Sequence, residues 1–309
     1  MPKLITTFIF SLAATTAMAE APRVVADIAP VHSLAAQLMQ GVGEPFLLIE
    51  PTASPHSYAL RPSQAASLES ADLVLLTSSA LTPWLTPSVE KLAKDAIKIE
   101  LMALEGAHHL ESRGSHNHGE DHVDDHDQDH ADEHADEHQL DPHGWLAIDN
   151  AQLWLNAIST SLIEMDPENA ALYRANATKA MQELESVSAT IQAKMEPVKA
   201  AHYMGLHDAF QYFDHRFGPE FAGSIKLGDA TAPSPSRVAN AQNEMREHSV
   251  RCVFKEPQQN DRLVQVVIEG TNAKMGQLDA IGATLSPGPD LYSELLIGIA
   301  ESFSDCLAD

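Results

Sequence analysis

Along the chain, short apolar runs alternate with stretches whose apolar residues recur every three or four positions. Arg23–Ile28, Phe46–Glu50, Asp72–Thr77 and Ile97–Glu100 have the length and composition of strands. Between them, His32–Gln40, Pro62–Ser70 and Pro87–Asp95 carry helical spacing. Pro62 and Pro87 suit the first helical turn, where a missing N–H leaves no bond unmade. This βαβα alternation predicts a parallel sheet with helices on its faces. Asp149 then caps a helix carrying Leu153, Trp154, Ala157, Ile158 and Leu162.

The longest helical pattern follows. Asp166-Pro167 reads as an N-cap with Pro at N1, and Tyr173, Ala177, Met181, Leu184, Val187, Ile191 and Met195 recur at helical steps until Pro197. About 29 residues at 1.5 Å rise make roughly 43 Å, longer than a small domain is wide. Such a helix is long enough to brace two lobes. After it the alternation restarts, with strands at Tyr203–Leu206, Phe221–Ile225 and Cys252–Lys255. Helices are expected at Pro235–Glu247, Asp261–Gly270 and Leu291–Phe303, with Ser234 and Asp290 as caps. The expected organisation is therefore α/β: an N-terminal lobe over 20–165, a linking helix over 166–196, and a C-terminal lobe over 197–309.

The first 19 residues stand apart. Lys3 precedes the uncharged stretch Leu4 to Met18, and Ala17-Met18-Ala19 supplies the small residues of a cleavage site, so residues 1–19 read as a secretory signal peptide. That stretch is short for a membrane span, and no later segment is apolar long enough for one. Export bears on the cysteines. Cys252 and Cys306 are the only two, and an oxidising compartment favours pairing them, the alternative being two buried thiols. With no third cysteine and no C-x-x-C, redox catalysis has no support.

Asp and Glu number 44 against 19 Lys and Arg, a formal charge of −25. That balance argues against nucleic acid and anionic membranes, and leaves cations as attractive partners. Histidine is over-represented, with 16 residues. Between Glu105 and Leu140 stand 12 acidic residues, one Arg and nine of the histidines: His108, His109, His116, His118, His122, His126, His130, His134 and His138. Such a composition buries no core, so 105–140 is expected to be a disordered loop inserted in the N-terminal lobe. One reading is a solvated acidic tether. The other, favoured by the density of imidazole, is a set of secondary, weak metal sites in which carboxylates attract the cation.

Seven histidines lie outside the loop, and three sit in turn-rich contexts: His56 after Pro51-Thr52-Ala53-Ser54-Pro55, His143 between Asp141-Pro142 and Gly144-Trp145, and His207 at the end of Tyr203–Leu206. In open parallel sheets ligands collect beyond the carboxyl ends of strands, where these three, drawn from both lobes, are able to meet. His32, His202, His215 and His248 are expected to cap, pack or face solvent, and Trp84 and Trp145 to pack near the cleft. Asp141, Asp149 and Asp208 are suited either to accept imidazole N–H groups or to cap helices.

The segments Pro55-His56-Ser57-Tyr58 with Arg61-Pro62-Ser63, Asp141-Pro142-His143-Gly144-Trp145-Leu146, His207-Asp208-Ala209-Phe210-Gln211-Tyr212-Phe213 and Gln277-Leu278-Asp279-Ala280-Ile281-Gly282 occur in this order. Together with the acidic histidine loop they make the chain resemble the periplasmic zinc-binding proteins of ABC zinc-uptake systems, within the wider group of zinc and manganese solute-binding proteins. The resemblance covers essentially the whole chain after residue 19. It implies two lobes of parallel sheet joined by one long rigid helix, a metal cleft between them, and a paired Cys252–Cys306. It also implies that His56, His143 and His207 bind metal through ring nitrogens. Manganese members usually place a carboxylate where this chain has His207, and imidazole suits Zn²⁺ while Mn²⁺ prefers carboxylate and water. Some zinc members have a Glu just before the first histidine; here that residue is Pro55, so Asp279 or a water is expected as fourth ligand.

The function implied is capture of Zn²⁺ in the periplasm and delivery to an ABC permease by a monomer that binds no nucleic acid. A manganese or general divalent-metal carrier is the alternative. An exported zinc hydrolase is a further one, weakened by the absence of H-E-x-x-H, of a Glu beside a ligand histidine, and of an evident nucleophile.

Overall fold

The computed structural model describes residues 20–113, 140–226 and 233–308. The signal segment 1–19 and seven loop histidines, His116, His118, His122, His126, His130, His134 and His138, lie outside the described residues. In the first sheet, β1 (Val24–Ala26), β2 (Phe46–Leu47), β3 (Leu73–Leu76) and β4 (Ile97–Glu100) are parallel and ordered β2-β1-β3-β4. In the second, β5 (His202–Gly205), β6 (Glu220–Ser224), β7 (Cys252–Lys255) and β8 (Lys274–Gln277) repeat the scheme as β6-β5-β7-β8. Central strands β3 and β7 are almost wholly buried and correspondingly apolar, as parallel strands covered on both faces must be. The edge strand β8, Lys-Met-Gly-Gln, is largely exposed, and its polarity is why no apolar run announces it.

The helices are α1 (Ala29–Leu38), α2 (Pro62–Glu69), α3 (Thr86–Leu92), α4 (Ile148–Met165), α5 (Ala170–Met195), α6 (Gln211–Phe217), α7 (Pro235–Glu247), α8 (Arg262–Ile268) and α9 (Leu291–Leu307). The long helix starts later than its pattern suggests. A 3-10 turn over Pro167–Asn169 precedes it, and its 26 residues span roughly 39 Å. Asp166 turns inward instead of capping: its Oδ2 accepts from Tyr173 Oη (3.0 Å) and Asn169 Nδ2 (2.7 Å). Asp149 likewise does not cap; it lies inside the first turn of α4 and pairs with Arg216 at 2.6 Å. Ser234 does cap α7, accepting from Arg237 N at 3.2 Å, whereas Asp290 precedes α9 without a side-chain cap bond.

α5 packs on α1 and α4 of the first lobe and on α6 and α9 of the second. One apolar core accordingly runs through both, from Val25 and Leu75 past Leu34, Trp154, Leu184 and Ile191 to Tyr203, Phe254 and Phe303. A smaller core, with Met204, Ile225 and Val253, lies between the second sheet and α7 and α8. Polar bonds also cross. Pro289 O accepts from Ser33 Oγ (3.0 Å) and Gln37 Nε2 (2.8 Å), and Tyr292 Oη donates to Trp145 O at 2.6 Å. Cys252 of β7 and Cys306 of α9 form a disulfide across a sequence separation of 54, a closure worth about 4 kcal/mol in the chain-entropy account. No helix among the described residues is long and apolar enough to cross a membrane.

Of the segment expected to be disordered, residues 105–113 are ordered. Asn150 Oδ1 accepts from His108 N (2.7 Å), Leu110 N donates to Tyr212 Oη (3.1 Å), and a bridge pairs Glu111 with Leu140. These bonds lie between the loop's base and the packed elements, which composition alone does not reveal.

Candidate metal centre

In both sheets the connections leaving the two middle strands diverge, opening the crevice in which α/β sheets bind ligands. In the first lobe that position is closed. Asp27, just after β1, is fully buried, and its carboxylate accepts from Thr77 N (2.6 Å), Thr77 Oγ1 (3.1 Å) and Ile28 N (2.8 Å). Burial pushes this carboxyl up to about 6 despite those donors. In the second lobe it holds imidazole and carboxylate. Leu206 N bonds to Phe254 O (2.9 Å), after which β5 leads to His207 and β7 to Glu256. A Cβ on Gly205 would stand 2.7 Å from the His207 carbonyl oxygen, so this turn requires glycine. His207 Nδ1 lies against the Glu256 carboxylate, and both residues are buried.

His143 immediately precedes a 3-10 turn over Gly144–Leu146. Asp141 Oδ1 accepts from His143 N (2.9 Å) and lies 2.7 Å from His143 Nδ1. A carboxylate only accepts, so this contact puts the ring proton on Nδ1 and leaves the Nε2 lone pair outward. That Nε2 is enclosed, with no hydrogen-bond partner among the described residues. Packing fixes the turn: a Cβ on Gly144 would overlap Met102 Sδ at 2.1 Å, and Trp145 Nε1 donates to Ala280 O at 2.7 Å. His56 comes from the β2–α2 connection, whose Pro55 O accepts from Trp84 Nε1 at 2.8 Å. Trp84 and Trp145 thus pack beside the crevice, as expected.

The three rings converge. Their centroids are 5.4 Å (His56–His143), 6.3 Å (His56–His207) and 5.5 Å (His143–His207) apart. One ring nitrogen from each lies within 4.8 Å of the others. In tetrahedral zinc with Zn–N near 2.05 Å, such nitrogens stand about 3.3 Å apart. A contraction of an ångström or so would therefore bring these rings onto one ion. They line a cavity of about 40 Å³ with Ser54, Trp145, Glu256 and Gln258 among its walls. That volume is enough for an ion with a water.

The remaining expectations divide. Asp279, expected as a fourth ligand, does not join the cluster. Oδ1 accepts from Ile281 N (3.2 Å) and Gly282 N (2.8 Å), and Oδ2 from Thr284 N (3.1 Å) and Thr284 Oγ1 (3.2 Å), so its own turn saturates the carboxylate. Of the three candidate acceptors only Asp141 meets an imidazole of the cluster; Asp149 pairs with Arg216, and Asp208 with Arg113. His32 is buried in α1, with Nε2 3.0 Å from Pro45 O, and so neither caps nor faces solvent. His202 faces Glu220 and His248, while His108 packs on His215 and Tyr212. His109 is exposed. Glu256 escaped sequence reasoning. The available signal was its place one residue past an apolar strand, level with His207, which stands two residues past β5.

A model of the family described as zinc-uptake complex component A, periplasmic, matches residues 24–306. The high-affinity zinc uptake system protein ZnuA of Paracoccus denitrificans (strain Pd 1222) is 40% identical over 308 residues, covering 96% of this chain and 94% of its own. The protein of the same description from Brucella suis biovar 1 is 36% identical over 325 residues, covering 99% and 97%. Among solved structures, a crystal structure of ZnuA superposes with a TM-score of 0.76 at 18% identity, over 93% of this chain and 100% of that one. The solute-binding protein FpvC of Pseudomonas aeruginosa in complex with Mn²⁺ also gives 0.76, at 19% identity, over 93% and 98%. At such identities the structures speak for the fold alone.

Proposed function

The chain belongs to the family of periplasmic zinc-uptake component A proteins, and from that premise we propose how it holds its cargo. It is a solute-binding protein that captures zinc with high affinity and delivers it for import. His56, His143 and His207 each give one ring nitrogen to a single Zn²⁺, and a water takes the fourth position, since Asp279 is held in its own turn. Asp141 and Glu256 keep Nδ1 of His143 and His207 protonated and turn Nε2 toward the metal, the usual carboxylate–histidine–zinc relay. The observation that carries this reading is the convergence of three imidazoles from both lobes, two of them backed by buried carboxylates.

An all-imidazole set favours Zn²⁺ over Mn²⁺. The histidines of the insertion add weaker sites that raise the local zinc concentration. The protein reaches the periplasm by a cleavable leader over residues 1–19, acts as a monomer, and hands Zn²⁺ to an ABC permease without catalysing a reaction. Metal content after purification, followed by chelator-competition titration with Zn²⁺ and Mn²⁺, tests the reading. One tightly held Zn²⁺ and weak Mn²⁺ binding are expected; a preference for Mn²⁺ would refute it.

A further inference from the structure

Among 12 acidic residues, the segment from Glu105 to Leu140 contains one arginine, and its place in the fold is specific. Arg113 is carried by an insertion of the first lobe, yet its partners Asp208, Asp214 and Phe221 belong to the second. Nε donates to Asp208 Oδ2 (2.8 Å), and Nη2 donates to Asp208 Oδ1 (2.5 Å) and Asp214 Oδ2 (3.0 Å). The guanidinium carbon lies 3.8 Å from the centre of the Phe221 ring. Tyr203 Oη donates to the same Asp214 oxygen at 2.7 Å, and the side chains of Arg113, Asp208 and Asp214 are 28%, 21% and 7% exposed. This is a planar, forked, stacked cation seat of the kind for which arginine and lysine are not interchangeable.

Asp208 directly follows His207. At the other end of the stem, Leu110 O accepts from Asp141 N (2.8 Å), and Tyr212 Oη accepts from Leu110 N (3.1 Å) while donating to Asp141 O (3.0 Å). Asp141 in turn orients His143. A continuous path therefore runs from His143 through Asp141, the stem Leu110–Arg113 and Asp208 to His207, joining imidazoles contributed by different lobes.

We propose that Arg113 is a positioning residue for zinc capture: it locks the His207 turn of the second lobe to the His143 turn of the first, making the base of the histidine-rich insertion a brace for the centre. This rests on the assignment of His143 and His207 as ligands. The test uses the full-length protein with Arg113→Met, which removes charge and fork, and Arg113→Lys, which keeps the charge alone. The zinc Kd and dissociation rate are followed by chelator competition, ligand geometry by the visible spectrum of the Co²⁺-loaded protein, and apo stability by thermal melting. Arg113→Met should raise the Kd about tenfold, as loss of outer support around a metal does. The rise should come chiefly from faster dissociation, with an altered Co²⁺ spectrum, and Arg113→Lys should recover only part of it. A melting temperature that falls while Kd and spectrum stay at wild-type values would overturn the proposal. If Arg113→Met does not fold, Asp208→Asn, which breaks the fork and leaves the Asp214 contact, is read by the same criteria. His207→Ala serves as the reference: tight zinc binding retained in that variant would refute the ligand assignment itself, separately from the brace.

Discussion

Replacing Glu256 by Gln changes one charge and almost no volume beside His207, and so isolates what the carboxylate does. Glu256 is 9% exposed and lies against His207 Nδ1. A glutamine carbonyl can still accept the ring N–H, so the shape of the contact survives while its charge assistance does not. Hydrogen bonds to charged groups contribute about 1.5–3 kcal/mol and neutral ones about 0.5–1.5 kcal/mol. The difference, roughly 1–1.5 kcal/mol, corresponds to about a tenfold weaker zinc site at 1.4 kcal/mol per decade. Apo stability should move the other way or not at all, because the substitution removes a charge from a desolvated position. Competition titration against a chelator of known affinity, at fixed ionic strength and near pH 7.5, reads the first effect, and thermal melting of the metal-free protein the second. If Glu256→Gln shifts the Kd by less than threefold while His207→Ala abolishes tight binding, the carboxylate does not orient the ligand.

Alanine at His56, His143 or His207 should each weaken zinc binding at least tenfold, whereas His32→Ala should lower the melting temperature and leave zinc affinity intact; the same titration checks both. Deleting 114–139 should preserve the tight site and remove the weaker equivalents, which calorimetric stoichiometry checks, while deleting 107–139 also removes Arg113 and should weaken the tight site, which chelator competition reads. Asp27, raised from about 4 to about 6 by burial, makes its contribution to stability in full below its unfolded value and loses it as pH rises through about 6. The loss is on the order of 3 kcal/mol. The stability of wild type minus that of Asp27→Asn should therefore fall between about pH 4 and 6 and level off above; a flat difference in chemical denaturation would contradict it.

The convergence of the three histidines was legible because each stands in a turn just past a strand or beside glycine and proline, a context short enough to read locally. Asp141 was legible for the same reason, two residues from His143. Glu256 and Arg113 were not: what they do depends on His207 and Asp208, which are 49 and 95 residues away in sequence and near only after both sheets have formed. Asp279 misled in the opposite sense, since a carboxylate beside a cleft says nothing of the four donors its own turn supplies. The fold followed a similar division. Buried strands such as β3 declare themselves as apolar runs, whereas the exposed edge strand β8 is specified by its pairing with β7.

The single core that passes through α5, with Ser33, Gln37 and Tyr292 bonding across the lobes, has a consequence for how loading is signalled. Swinging one lobe open would break packed apolar surface along that helix, so filled and empty proteins are expected to share nearly the same outline. Small-angle scattering should return the same radius of gyration for both. A permease receiving the cargo, as proposed above, would have no angle to measure. What zinc would change at the site is charge, as two positive units arrive beside Glu256 and near Asp141. On the proposed function, discrimination of cargo-laden from empty carriers would then rest on local electrostatics, and docking should respond to ionic strength.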